Sequence, residues 1–270
     1  MSTGGFQAAF AHVLVHKEVR EHLHDNGAAL KAQFDLTDEE LDTLIASSPG
    51  RMRVTSTTVG YKRVDFLTRA LPKASMVFSG DCQCQLLTFV EACPPFEPAG
   101  GNQVNRLVAE ARRFIAYLES DPSSGAPTYA VDLARYELLH LSLNYASDAA
   151  GPPEREPEIT DDTVIQLGRH VSLGEFAHDV VTLVEAEELP KGAPTVHTFV
   201  AIVKAAPRKI VPYRIGTVVF RMLESWRAPA RLRDLRDALT AQLGPSFEAG
   251  IDAAARFALR EGILVTVAKD

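Results

Sequence analysis

Residues 196–215 read Val-His-Thr-Phe-Val-Ala-Ile-Val-Lys-Ala-Ala-Pro-Arg-Lys-Ile-Val-Pro-Tyr-Arg-Ile. The stretch is rich in β-branched and aromatic residues, and Ala-Pro-Arg interrupts it once. That composition predicts two strands, over 196–204 and 209–215. Pro212 has no N–H to give to a ladder, so the second strand belongs at a sheet edge. Upstream, residues 179–186 (Asp-Val-Val-Thr-Leu-Val-Glu-Ala) are compact and apolar. With the turn residues Leu189 to Pro194 they predict a hairpin with 196–204.

Downstream the apolar period lengthens to that of helices. Helices are expected over 216–226, 231–243 and 246–261, with Gly262 closing the last and a short strand over 263–267. Three strands followed by three helices is the order of a winged helix-turn-helix. Upstream of residue 148 the pattern is helical nearly throughout. Helices are expected over 5–33 with a break at Asn26-Gly27, over 37–47, 58–71, 80–93, 102–119 and 129–148. Thr37 and Glu40 have the spacing of a capping box. Residues 148–160 hold Gly151-Pro152-Pro153 and Pro157 among acidic residues, which suits a linker.

The chain is therefore expected to be α+β. An all-α helical domain spans 1–155, and a C-terminal winged helix-turn-helix domain of three strands and three helices spans 160–270. With 270 residues, 46% of them hydrophobic, both can bury a core. No basic segment leads into an apolar one at the N-terminus. No run approaches the roughly 18 apolar residues of a membrane span. A cytoplasmic protein without a membrane partner is the expectation.

Charge bears on the ligand. Residues 1–160 carry the whole net charge of −7, while residues 161–270 hold 14 basic and 14 acidic side chains. DNA reading needs a basic face and a recognition helix that offers Arg, Lys, Asn or Gln. The last helix offers Glu248, Asp252, Arg256, Arg260 and Glu261 amid alanines. In the helix before it, Asp234 and Asp237 interrupt Arg231, Arg233 and Arg236. A DNA-binding winged-helix regulator is thus the weaker reading, and no nucleic-acid partner is expected.

The stronger reading is peptide capture. An exposed strand edge pairs with an extended peptide through backbone hydrogen bonds, and neighbouring pockets read alternate side chains. Arg208, Lys209, Ile210, Val211, Tyr213 and Arg214 would form that edge. Ile251, Ala255 and Phe257 would form the facing helix, whose small residues let a peptide lie close. Arg208, Lys209 and Arg214 would suit an acidic peptide.

No catalytic set is visible: there is no nucleophile elbow, Walker loop, H-E-x-x-H or EF-hand loop. His12 and His16 have a metal-compatible i, i+4 spacing but lack further ligands. Cys82, Cys84 and Cys93 fall short of a structural zinc pattern. No metal or cofactor is expected in this chain. His12 and His16 are instead candidates for a partner-facing helix.

Three helical segments carry a family resemblance: Phe66-Leu-Thr-Arg-Ala-Leu-Pro72, Ala111-Arg-Arg-Phe-Ile-Ala-Tyr-Leu118 and Val131-Asp-Leu-Ala-Arg-Tyr-Glu-Leu138. Together these resemble the partner proteins of multinuclear non-heme iron-dependent oxidative enzymes, which modify ribosomally made peptides. The C-terminal half resembles the winged-helix elements that recognise precursor peptides. The pairing is similar to the partner subunits of the 3-thiaglutamate and methanobactin pathways, and leans to the former. The resemblance implies a heterodimer. The iron sits in the partner enzyme, and the present chain is a non-enzymatic subunit that presents a cysteine of the precursor peptide. In the 3-thiaglutamate case the enzyme excises that cysteine's β-carbon. Arg135 and Glu137, on the third segment, would face the enzyme or hold the helical domain together.

Overall fold

The computed structural model describes residues 3–47, 49–78, 83–94, 103–120, 127–146, 159–207 and 209–267. The chain is α+β, mostly helical with two small antiparallel sheets. It divides into two compact units, Met1–Ala126 and Pro127–Asp270. None of the described helices is long and apolar enough to cross a membrane.

The first unit is helical. It runs α1 (Thr3–Val15), α2 (Lys17–Glu21), α3 (Gly27–Phe34), α4 (Asp38–Ala46), α5 (Pro49–Ala70), α6 (Pro72–Val77), α7 (Gln83–Ala92) and α8 (Gln103–Ser120). The expected break at Asn26-Gly27 is present, with Asn26 as the N-cap of α3. Thr37 and Glu40 form the reciprocal capping box that opens α4. Two prolines open helices. Pro49 begins α5, and Pro72 begins the short α6 directly after α5 ends. A proline at the first turn of a helix gives up an N–H that has no partner there anyway. For the same reason α5 starts well before residue 58.

Two apolar groups hold this unit. Ala9, Val13, Leu30, Leu36, Leu44 and Met52 pack α1 to α3, α4 and α5. Phe114 of α8 takes edge-on contacts from Phe78 and Phe89, with centroids 5.4 and 5.3 Å away. A Cβ at Gly5 would meet the Phe34 carbonyl oxygen at 2.4 Å, so α1 passes α3 at a distance only glycine permits. Between α5 and α8 lies a buried ion pair. Arg63 donates from Nε to Glu110 (2.6 Å) and from Nη1 to the Val90 carbonyl (2.9 Å).

The second unit begins with α9 (Tyr129–Tyr145). It continues β1 (Val164–Leu167), β2 (Val171–His178), α10 (Val180–Glu185), β3 (Thr195–Ala206), β4 (Lys209–Ile215), α11 (Thr217–Ser225), β5 (Ala230–Arg231), α12 (Leu232–Leu243), α13 (Glu248–Arg260) and β6 (Leu264–Thr266). One sheet has the order β2-β3-β4 and the other β5-β1-β6.

β3 is the central strand of its sheet and is covered on both faces. Ala201 and Val203 enter a core with Met222, Leu223, Trp226 and Ile251 from α11 and α13. Val200 and Ile202 enter a second core with Tyr136 and Leu143 of α9 and Val180 of α10. Double burial explains why 199–203 is an uninterrupted apolar run rather than an alternating one.

Three expectations change here. Residues 179–186 do not form a strand. Asp179 accepts hydrogen bonds from the Thr182 N–H (3.2 Å) and hydroxyl (2.9 Å), and this cap turns the apolar run into α10. The hairpin partner of β3 is instead β2, whose alternation is obscured by Gly174 and by an irregularity at Phe176–His178. Third, α9 packs on β2 and β3, so the division of the chain falls before this helix and not in the linker after it.

Candidate functional site

β4 is hydrogen-bonded to β3 alone among the described strands. Among the described residues its other edge is therefore open, and the register shows which groups it offers. Lys204 N–H donates to the His170 carbonyl (3.0 Å) across the β2 side of β3. In an antiparallel ladder the backbone polar groups of successive residues point to alternate sides. The polar groups of Lys204, Ile202 and Val200 thus face β2, and those of Val203, Ala201 and Phe199 face β4. Their partners Val211, Tyr213 and Ile215 turn inward to β3. Ile210, Pro212 and Arg214 turn outward. No other described backbone hydrogen bond reaches these three.

The side chains divide in the same alternation. Tyr213 and Ile215 pack toward α11–α13. Ile210 packs toward α9 and α10. On the α13 side, the Tyr213 ring meets Phe257 edge-on at 5.9 Å, and Arg260 lies over the Phe257 ring at 5.6 Å. The Tyr213 hydroxyl donates to Glu261 (2.9 Å). Burial first, and this carboxylate second, push the Tyr213 phenol above its ordinary range. Tyr213 and Phe257 are each half-buried, so the pair forms a shallow aromatic ledge beside the open edge. On the other side, Arg214 pairs with Asp179 (3.0 Å) and donates to the Thr182 hydroxyl (2.6 Å).

No protein-family model matches the chain, and no curated protein matches it either.

Of the residues expected to hold a peptide, the structure brings Lys209, Ile210, Val211, Tyr213, Arg214 and Phe257 together around one strand edge. Arg208 lies outside the described residues. Ile251 and Ala255 are core residues, 2% and 0% exposed, and help seat α13 rather than line its surface. The small residue serves packing: Ala255 lies in the same core as Leu232 and Leu259. Arg260 and Glu261 were not anticipated at the site. They lie three and four residues after Phe257, a helical spacing that points to the same face.

The resembling segments have structural duties. Asp132 of α9 accepts from the N–H groups of Ala177 (2.8 Å) and His178 (3.1 Å) and from His178 Nδ1 (2.8 Å). At the far end of the helix, Lys204 of β3 donates to the carbonyls of Asn144 and Ala146. Both ends of α9 are thereby fastened to the sheet. Arg135 is exposed and lies 3.7 Å from Asp132, while Glu137 is buried.

His12 and His16 sit with ring centroids 4.0 Å apart in the first unit. Burial, and then His16, lower the His12 pKa. Among the described residues no group of three or more metal-ligating side chains converges. Cys82 and the Cys84 side chain lie outside the described residues, and Cys93 is a free thiol. A cavity of about 430 Å³ opens in the first unit between α2, α5 and α7, with Arg20, Arg53, Tyr61 and Val90 in its wall.

Proposed function

We propose that the chain is a non-catalytic subunit that captures an extended peptide along β4 and holds it for a partner enzyme. One observation carries this reading: among the described residues the outer edge of β4 offers unpaired backbone groups beside the Tyr213–Phe257 ledge. An added strand would gain ladder hydrogen bonds from the edge, and side-chain selectivity from the ledge. Tethering the peptide would raise the local concentration of its reacting end at the enzyme.

The order α11-β5-α12-α13-β6, with β5 and β6 both paired to β1, supports a winged-helix reading of this region. The three segments quoted above support a partner that is a multinuclear non-heme iron oxidative enzyme acting on a cysteine of a ribosomally made peptide. The DNA-binding alternative loses support from the arginines it would need. Arg233 pairs with Asp162 (3.3 Å), and Arg236 pairs with Asp161 and Asp252 (both 2.9 Å). Carboxylates already occupy two of the cations that phosphates would take.

The test is a titration of labelled cysteine-containing precursor peptide against the chain, the oxidative enzyme and their complex. Binding is expected to require this chain. Ile210→Pro removes an outward donor and is expected to weaken binding about ten-fold more than the packing control Ile210→Ala. Substitutions at Val211 or Tyr213 would break the β3–β4 ladder instead. Equal binding by the enzyme alone would overturn the reading.

A further inference from the structure

Pro212 occupies one of the three outward positions of β4. The edge therefore offers three carbonyls, at 210, 212 and 214, but only two N–H donors, at 210 and 214. We infer that this gap sets the selectivity of the edge: it disfavours a second copy of β4 and favours an extended peptide with donors at three alternate positions. This rests on the peptide-capture reading and says what kind of peptide fits.

The hydrogen-bond accounting decides between the two occupants. Three facing residues on each of two antiparallel strands can exchange six ladder bonds. A peptide meeting β4 loses one, because only the N–H of residue 212 is missing. A second copy of β4 loses two in every register that includes both prolines, because each chain brings the same gap. Each proline ring also fills the space where a facing carbonyl would accept a bond. Proline on an edge strand is a recognised guard against edge-to-edge association. Here the guard costs a copy of the chain twice what it costs a peptide.

The same geometry fixes the peptide pattern. Peptide residues directly opposite 210, 212 and 214 must donate N–H bonds, so none of them can be proline. In an antiparallel pair, facing side chains share a face of the sheet. The two intervening peptide residues, opposite Val211 and Tyr213, therefore lie on the α13 face beside the aromatic ledge. The preferred segment is five residues long. Its second and fourth positions are apolar, and it has no proline at the first, third or fifth.

The experiment compares the full chain with Pro212→Val, and with Pro212→Ala as a second variant, after circular dichroism confirms that each is folded. Sedimentation equilibrium reads self-association. Fluorescence anisotropy reads binding of labelled decapeptides carrying Thr-Leu-Thr-Phe-Thr, with proline moved through the five positions. The parent chain is expected to be monomeric and the variants to self-associate. Peptide affinity is expected to rise roughly three- to ten-fold in the variants, the worth of one hydrogen bond. Proline at the first, third or fifth position is expected to weaken binding about ten-fold, and proline at the second or fourth to weaken it less. Variants that stay monomeric with unchanged peptide affinity would overturn the inference. Variants that self-associate while no peptide binds either protein would overturn the peptide reading and leave the guarding role of Pro212 supported.

Discussion

Each unit buries a charged cluster, Arg63–Glu110 in the first and Asp132–His178 in the second, and the two serve different ends. In the first unit Arg63 and Glu110 join α5 to α8, two helices whose backbones already satisfy themselves. The pair itself is side chain to side chain and substitutes for apolar packing, with one backbone contact beside it, from Arg63 Nη1 to the Val90 carbonyl in the last turn of α7. In the second unit Asp132 joins a helix to the end of a strand, where the Ala177 and His178 N–H groups need an acceptor. There the carboxylate completes a backbone that the ladder leaves unfinished. Charge burial between helices is thus replaceable in principle, whereas at a strand end it answers a local need.

Removing one partner tests that contrast. Glu110→Ala would strand the Arg63 guanidinium, which is only 7% exposed. Loss of one partner from a buried pair costs about 3–5 kcal/mol. Urea denaturation followed by circular dichroism should show that drop. If the pair is replaceable, Arg63→Met with Glu110→Leu should recover most of it. Less recovery than half would mean the ion pair orders the helices in a way apolar residues do not.

Asp132→Ala is next in size. It leaves two N–H groups and His178 Nδ1 without their acceptor in a buried setting, at about 3 kcal/mol. No apolar replacement should rescue it, because the orphaned donors are backbone. Hydrogen exchange at Ala177 and His178 is expected to accelerate before exchange in the centre of β3 does. Rescue by Asp132→Leu would contradict the contrast between the units.

Tyr136, on the face of α9 that meets Val200 and Ile202, sharpens the comparison through pH. Its phenol is pushed up to about 12, by burial first and by Glu185 second, with Arg214 opposing. A folded-state pKa above the unfolded value of 10 stabilises the protein fully below pH 10, and that stability is lost as pH rises toward 12. The loss amounts to about 3 kcal/mol. Tyr136→Phe should flatten the denaturation midpoint between pH 10 and 12. An unchanged slope in that window would mean that the phenolate forms without leaving this core.

What could be read in advance follows the same divide. Local signals dominate the first unit, so the capping box at Thr37 and the break at Asn26-Gly27 were legible from spacing alone. β4 and α11–α13 were legible as well, because the Ala-Pro-Arg interruption in the sequence and Gly262 bound them. The exchange of β2 for α10 was not. Val180 to Glu185 is apolar enough for either state, and Asp179 as a cap decides it only once Thr182 folds back. β2 carries Gly174 in mid-strand, where a Cβ would meet the Phe176 ring at 2.5 Å, and a residue kept small for a neighbour looks like a loop signal. The partnership of α9 was also invisible, since an apolar helix face does not say which sheet it covers. For the site, the strand edge was legible through Pro212. The true role of Ala255 was not, because small residues suit both a groove floor and a tight core.

The smallest effect is expected where the structure is most local. Thr37 Oγ1 accepts from the Glu40 N–H (3.2 Å), and Glu40 Oε2 accepts from the Thr37 N–H (2.9 Å). Thr37 is exposed and Glu40 is half-buried, and neither belongs to the apolar core, so the cap acts largely alone. Thr37→Ala is expected to cost about 1 kcal/mol, and Thr37→Ser close to nothing. Because the two bonds are reciprocal, losing one loosens the other. Thr37→Ala and Glu40→Ala should therefore be less than additive in a double-mutant cycle read by thermal denaturation. Full additivity would mean that each bond forms without the other. The start of α4 would then be fixed by the packing of Leu44 against Ala9, Val13 and Leu30 and not by its cap.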